Sequence, residues 1–486
     1  MDFKIRTVKT KSGKTAVQVI NFLNRKTNVL KHIGSACNDQ ELLTLKEQAS
    51  IWIKDEMTNK GLFREVDHFH THYQYLGFLY LYAYEFLEKI YNKFNFQNHL
   101  SNLFKDLIIA RILEPKSKRD SLEFLKTFLN KVHSENVLYK TIVKYDEKMK
   151  DKIEEEIVRV AQNEFGFDFS FVLYDVTTLY FESFKNDDFK TPGFSKDGKH
   201  NQPQVVIGLI VTREGFPISY QIFKGNTFEG NTFLPCILDF KKKYNIQRIT
   251  VVADSAMLSK QNMDRLVESD LNYIIASRLA NLKESLIHTI DKDLERVDGK
   301  SIRLHNLIVD YSSKRYLKDK AELEKQVNRA KLKMNVQTEK IANIKYLKND
   351  KAHQYLNQEL IDKNTKLLGL KGYVTNLTKE SNEEIITYYR NLVKIEHAFR
   401  IAKSDLEARP IYHHKEESIK NHMLICFAAL AMSVYLEIKN KSSIAKVVEV
   451  LKSVTDAKIL NKISNEVVLD RAPNCGEAND LERLSY

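Results

Sequence analysis

One stretch, residues 167–181 (FDFSFVLYDVTTLYF), constrains the fold more than any other. Its first half is almost wholly apolar or aromatic, the pattern of a strand covered on both faces. Period two puts Phe169, Phe171 and Leu173 on one face, and Asp175 falls in phase with them. A carboxylate on the inward face of a core strand costs several kcal/mol unless something pairs with it. The partner is either a cationic side chain or a metal ion, and this segment leaves both open.

With 486 residues the chain has room for two to four domains and a sizeable core. Its 43% hydrophobic and 29% charged residues belong to the soluble globular class. A net charge of +12 points to a polyanion, most commonly nucleic acid. A Lys-rich codon bias is the plainer source, since Pro and Gly are few. Cys37, Cys236, Cys426 and Cys475 stand singly, so neither a zinc module nor a disulfide framework is supported, and a reducing cytoplasm is expected. The opening MDFKIRTVKTKSGK has no apolar core, so no signal peptide is expected. The longest apolar run, 423–436, is too short to span a bilayer and reads as a buried helix, with no membrane partner.

Taken in order, residues 4–34 alternate around Ser12-Gly13-Lys14 like a small β-hairpin unit. Residues 40–60 and 70–95 read as helical, the aromatic-rich 73–91 among them as a core helix. Two further helices flank a basic turn carrying Lys116, Lys118 and Arg119, a corner suited to a DNA backbone or simply to solvent. An amphipathic helix over 146–165 leads into the central strand. Beyond a polar loop, in which Asp187, Asp188, Asp197 and His200 read as solvated, strands are predicted at 204–211 and 216–223. Tight turns between them imply an antiparallel meander. A helix, a short strand stopped by Asp254, another helix and a strand at 273–277 complete a β-β-β-α-β-α-β series. Two strand-like pieces then flank a Lys/Glu-rich stretch, 314–364, which reads as a solvated helix.

A helical count over 381–410 puts Leu392, Ile395, Phe399, Ala402 and Leu406 on one stripe that must face a core. Glu396 borders that stripe, Tyr389 precedes it by a heptad and Lys403 follows by one, with Arg400 one turn on. By itself this is an i, i+4 ion pair between Glu396 and Arg400, worth about 0.3 kcal/mol. Three carboxylates converging from a central strand, a strand end and a later helix would instead repel one another unless cations neutralise them. Hard divalent cations such as Mg²⁺ or Mn²⁺ suit carboxylate oxygens and keep open positions for phosphate and water. Two of them about 4 Å apart stabilise the attacking and leaving oxygens of an in-line displacement. Arg400 and Lys403, just outside, would hold a phosphate.

Together YDVTTLYF, GLIVTREGFPISYQIFKGNT, VVADSAMLS and YYRNLVKIEHAFRIAKSDL resemble a DDE insertion-sequence transposase, of the group bearing a Tyr-Arg-Glu-Lys signature around the catalytic Glu. The resemblance covers roughly 167–436. It implies an α/β fold: a ribonuclease H-like mixed-sheet core over 166–280 and 375–440, broken by an insertion domain at 281–374. A mostly helical N-terminal DNA-binding region would occupy 1–165, and a tail domain 441–486. It implies Asp175, Asp254 and Glu396 as catalytic ligands of two Mg²⁺ or Mn²⁺ ions, with Tyr389 and Lys403 in phosphate-contacting places. The signature's Arg position holds Leu392, which moves that contact to Arg390 or Arg400. The expected partners are double-stranded DNA, as terminal inverted repeats and as target, and a second copy in a homodimer on DNA; the expected location is the nucleoid. With Trp52 the sole Trp, an aromatic that captures a flipped base would be Tyr311 or Tyr316. The alternatives are a same-fold metal nuclease without strand transfer, a catalytically inactive DNA-binding copy and, remotely, a paired-carboxylate glycosidase.

Overall fold

In this computed structural model the described residues are 3–23, 26–59, 72–182, 185–195, 198–199, 201–257, 259–334, 344–349, 354–471, 478 and 481. His200, Asp197 and Cys475 lie outside them. The chain forms two units: one comprises 1–78 and 456–472, the other 79–455 and 473–486.

In the first unit the alternating N-terminal segment forms three antiparallel strands, β1 (Lys4–Lys9), β2 (Thr15–Leu23) and β3 (Lys26–Ala36), rather than a single hairpin. The helix Asp39–Asn59 covers this sheet, and Val17, Val19 and Ala49 are buried with Trp52 packed beside them. The segment opening the expected helix at 70–95 is instead strand β4 (Tyr73–Leu79). Its aromatics alternate in the way strands favour. The helix begins only at Leu81. The tail does not form a domain of its own. Its helix Ile444–Ser453 lies in the second unit, while its hairpin pairs with β4 in the first.

The second unit is built on an eight-stranded sheet. Its strands are β5 (Phe171–Tyr180), β6 (Gln204–Val211), β7 (Pro217–Lys224), β8 (Thr250–Ala253), β9 (Asn272–Ser277), β10 (Ser301–Leu304), β11 (Leu307–Tyr311) and, after a short pair β12 (Leu347–Asn349) and β13 (Gln354–Leu356) outside the sheet, β14 (Leu370–Thr375). The order is β10-β11-β14-β9-β8-β5-β6-β7. β5, β6 and β7 form the expected meander, and β5, β8 and β9 run parallel. The strand begins at Phe171, because Phe169 has φ of +65° and leaves the extended region. The inward face is therefore Phe171, Leu173, Asp175, Thr177 and Leu179.

Close approach fixes both sides of the meander. A Cβ on Gly208 would lie 2.7 Å from the Tyr174 hydroxyl, which donates to Thr232 Oγ1 at 2.8 Å. Tyr174 thus locks β5 to the helix Glu229–Lys243 on one face. Gly215 (φ +93°) turns β6 into β7, and a Cβ there would strike Lys394 Cβ at 2.8 Å. That contact sets the helix carrying Glu396 against the turn, on the opposite face.

Residues 281–374, expected as an insertion domain, contribute strands to the central sheet. β10, β11 and β14 continue the central sheet beyond β9 through antiparallel pairing. The charged stretch is not one helix: it comprises Ser313–Met334, the β12–β13 hairpin and Gln358–Lys366. The helices of 81–165 share the apolar core of the sheet.

The helix Glu416–Asn440 is long and apolar enough to cross a membrane by composition, yet 89% of its apolar window is buried within the protein. It is a core helix, packed through Phe427 on Tyr220 with ring centroids 4.5 Å apart. His422 on it is fully enclosed. Burial, Lys118 and Arg111 hold its imidazole well below the usual histidine range, against the opposing bond to the Ala408 carbonyl. Burial, the same two cations and His414 push His413 down to about 4. Between about pH 6.5 and 4 the unfolded chain therefore binds a proton that the folded chain refuses, and stability falls on acidification. The expected loss at His413 is of order 2–3 kcal/mol. Denaturant midpoints taken near neutral pH and at about pH 4.5 check it, and His413→Gln should flatten the difference.

Candidate active site

Asp175 lies where β5 outruns β8. The parallel register pairs Leu173 with Val252, so two residues further on Asp175 stands level with Asp254, just past the end of β8. Neighbouring strands lie about 4.8 Å apart, and residues level on a parallel pair face the same way. A strand stop directly followed by a carboxylate thus places the second acid beside the first.

Glu396 comes from the other side. The sequence 381–406 folds into Asn382–Arg390, a break at Asn391–Leu392, then Val393–Arg400 and a π-turn over Ile401–Asp405. A Ser381–Glu384 capping box starts it. The buried stripe is as expected, with Leu392, Ile395, Phe399 and Leu406 at 6, 0, 8 and 0% exposure. Glu396 is exposed at its margin. No Glu396–Arg400 bond forms; Arg400 Nη2 donates to His397 Nδ1 at 2.6 Å, and His397 Nε2 donates to Glu437 at 2.5 Å. Arg400 is thereby anchored from behind. The π-turn, a feature frequent at functional sites, carries Lys403.

All three acids line one cleft of about 740 Å³, together with Tyr389, Arg400 and Lys403. Tyr389 is 6% exposed and donates to Asp254 Oδ1 at 3.3 Å. Burial and the charges of Asp254 and Asp175 raise its phenol well above the usual range, so it stays protonated as a donor.

Of the far wall the sequence suggested only Arg390, not Lys371, Tyr373 or Arg315. Lys371 and Tyr373 on β14 line the cleft, as do Arg315 and Arg390. Lys371 Nζ lies 4.2 Å from the centre of the Tyr389 ring. Burial and Arg315 lower its ammonium below the usual range, against Asp310, Asp254 and Glu396. Buried Asp310 steers the wall, accepting from Arg315 at 3.3 Å, pairing with Arg390 at 3.7 Å and accepting from Tyr373 at 3.3 Å. The signal was present in LKGYVT, where period two sets Lys371 and Tyr373 on one face.

Of the basic corner, Lys116 and Arg119 are exposed and paired with Glu114 and Glu135 at 3.4 and 3.1 Å. Lys118 does not project from the surface as expected. It is 7% exposed and turned inward onto His422. Tyr311 and Tyr316 stand near each other, ring centroids 6.4 Å apart, but neither lines the acid cleft.

The donor set fits a hard cation in kind, since carboxylate oxygens from three elements face one polar cleft. It does not do so in position. Among the described residues no three His, Cys, Asp or Glu side chains stand close enough to share one ion. Asp254 and Glu396, both exposed, have room to turn inward.

Residues 166–432 match the family model described as the transposase DDE domain. Comparison with curated proteins gives no match. Among solved structures, a piggyBac transposase synaptic complex with hairpin DNA aligns at 12% identity, over 76% of this chain and 70% of that one, with a TM-score of 0.37. Marinitoga piezophila Argonaute in complex with a 5′-OH guide RNA aligns at 8% identity, over 80% and 67%, with a TM-score of 0.22. Scores this low carry no conclusion about fold or function.

Proposed function

The chain belongs to the transposase DDE-domain family, and from that premise we propose that it cuts the ends of a mobile DNA element and joins the freed 3′-OH to target DNA. The observation that carries the reading is that Asp175, Asp254 and Glu396, from a strand, a strand end and a helix, line one cleft with a cationic wall. The strand order β7-β6-β5-β8-β9, with the first three antiparallel and the last three parallel, supports a ribonuclease H-like core. Tyr389, Glu396 and Lys403, spaced by sevens, support the Tyr-Arg-Glu-Lys group, with Leu392 in place of the Arg.

In this reading Asp175, Asp254 and Glu396 would hold two Mg²⁺ or Mn²⁺ ions once Asp254 and Glu396, both exposed, turn inward. Bound there, such ions supply Lewis-acid activation of the attacking oxygen and charge stabilisation of the leaving one. The side chains do the remaining work. Tyr389 fixes the rotamer of Asp254 by hydrogen bonding. Arg400, braced by His397, and Lys403 grip the phosphate flanking the scissile bond. Lys371 and Arg315 confront it across the cleft and offset its charge. Lys116 and Arg119 steer the duplex from the surface. The protein would act as a homodimer on paired ends in the nucleoid.

Pre-cut duplex ends carrying the inverted repeats that flank the gene, incubated with target plasmid and Mg²⁺, should yield joined products. Cleavage of intact ends without any joining of pre-cut ones would leave a nuclease and overturn strand transfer.

A further inference from the structure

A second cleft, of about 710 Å³, opens beneath the basic corner, and two buried cations form its floor. Arg111 is 4% exposed and Lys118 7%. Lys118 Nζ donates to His422 Nδ1 at 3.1 Å, and His422 Nε2 donates to the Ala408 carbonyl at 3.1 Å. Arg111 Nη1 reaches only the Leu406 and Glu407 carbonyls, at 3.4 and 3.5 Å. Among the described residues neither cation has a carboxylate partner. Burial first, and then the Arg111 guanidinium, hold the Lys118 ammonium well below its usual range. The cleft's own acids, Asp120, Glu123 and Glu407, are exposed.

Burying two cations without a counter-charge is costly, and an anion between them removes the cost. The helix Lys118–Leu129 adds to it, since Ser117 and Lys118 at its start line the cavity. Arg409 lines this cleft and the acid cleft alike, so the two adjoin. We propose that Arg111 and Lys118 form a subsite for a backbone phosphate of the DNA strand whose scissile phosphate occupies the acid cleft. The assignment rests on the transposase reading and extends it: the strand runs past Arg409, and its register on the three carboxylates is set by an anchoring phosphate in the second cleft. Arg111 and Lys118 are positioning residues, since neither lines the acid cleft.

Binding of a random-sequence duplex by the full-length protein, measured across salt concentrations, tests this. Lys118→Gln keeps a donor for His422 Nδ1 and removes the charge. The slope of log K against log salt should fall in magnitude by about 0.9, one phosphate's worth, while Lys118→Arg keeps the wild-type slope. Inorganic phosphate should raise the melting temperature of the wild type above that in chloride at equal ionic strength, and should not do so in Lys118→Gln. A wild-type slope in Lys118→Gln overturns the proposal. Phosphate protection lost in Lys118→Gln without a change of slope marks a free-phosphate site and also overturns it. Should Lys118→Gln fail to fold, Arg111→Gln is read in the same way. Wild-type protein that lacks Mg²⁺-dependent cleavage sinks the transposase reading instead, whatever the slopes.

Discussion

Asp175→Asn should abolish Mg²⁺-dependent cleavage of the element's ends, by on the order of 10³-fold or more, equivalent to about 4 kcal/mol of barrier. The substitution keeps the size of the side chain and the pairing of its backbone with Leu209 on β6. What it removes is the charge that a divalent ion needs. Asp254→Asn and Glu396→Gln should behave alike, since each subtracts one charge from the same cleft. Stability should stay within about 1 kcal/mol in all three, because each change is isosteric and Asp254 and Glu396 are exposed. Affinity for duplex DNA should survive, as the cationic wall and the basic corner are untouched. A gel-shift titration beside a cleavage time course separates the two effects. Cleavage at the wild-type rate in any one variant would remove that residue from the set of ligands.

The largest stability effect is expected far from this cleft. Glu154, on the helix Glu147–Phe165, is 1% exposed. It accepts from Ser219 Oγ at 3.0 Å, from the Tyr220 amide at 3.1 Å and from Lys243 Nζ at 2.7 Å, and Lys150 lies at 3.4 Å. Replacing it by Ala strands a backbone donor on β7 and takes one of two carboxylates from each lysine, leaving Asp151 to Lys243 at 2.6 Å and Glu147 to Lys150 at 3.5 Å. Breaking a buried pair from one side costs about 3–5 kcal/mol. Glu155, its neighbour, pairs with Lys152 in the open, at 46 and 54% exposure, and Glu155→Ala should stay within about 0.5 kcal/mol. Chemical denaturation of the two variants side by side reads the contrast; a Glu154→Ala loss below about 1 kcal/mol would show the network to be loosely coupled.

Much of the central unit was legible in the sequence because its strands repeat with period two and are stopped by recognisable turns. Gln204–Val211 emerges as expected, buried along its whole length. The three acids could be picked out by phase alone: Asp175 in register with a core face, Asp254 at a strand stop, Glu396 at the edge of a helical stripe. Other features depend on partners distant in sequence. YQYLGFL has the apolar content of a helix, yet it pairs as a strand with the hairpin of residues 456–471. Lys118 looks like any surface lysine in a basic run, and only the fold shows it enclosed by the core helix that carries His422.

The strands at 301–304, 307–311 and 370–375 pair onward from β9, which leaves no open margin on that side of β9. The chain between the second and third acids therefore cannot be treated as a removable attachment. Excising it would strip Asn272–Ser277 of its antiparallel neighbour and offer bare amides and carbonyls to any other chain in solution. It would also take away Lys371, which faces the acids from the same sheet. A shortened relative of this enzyme would need a substitute border strand before it could keep its charge balance, so length in this region is held by architecture.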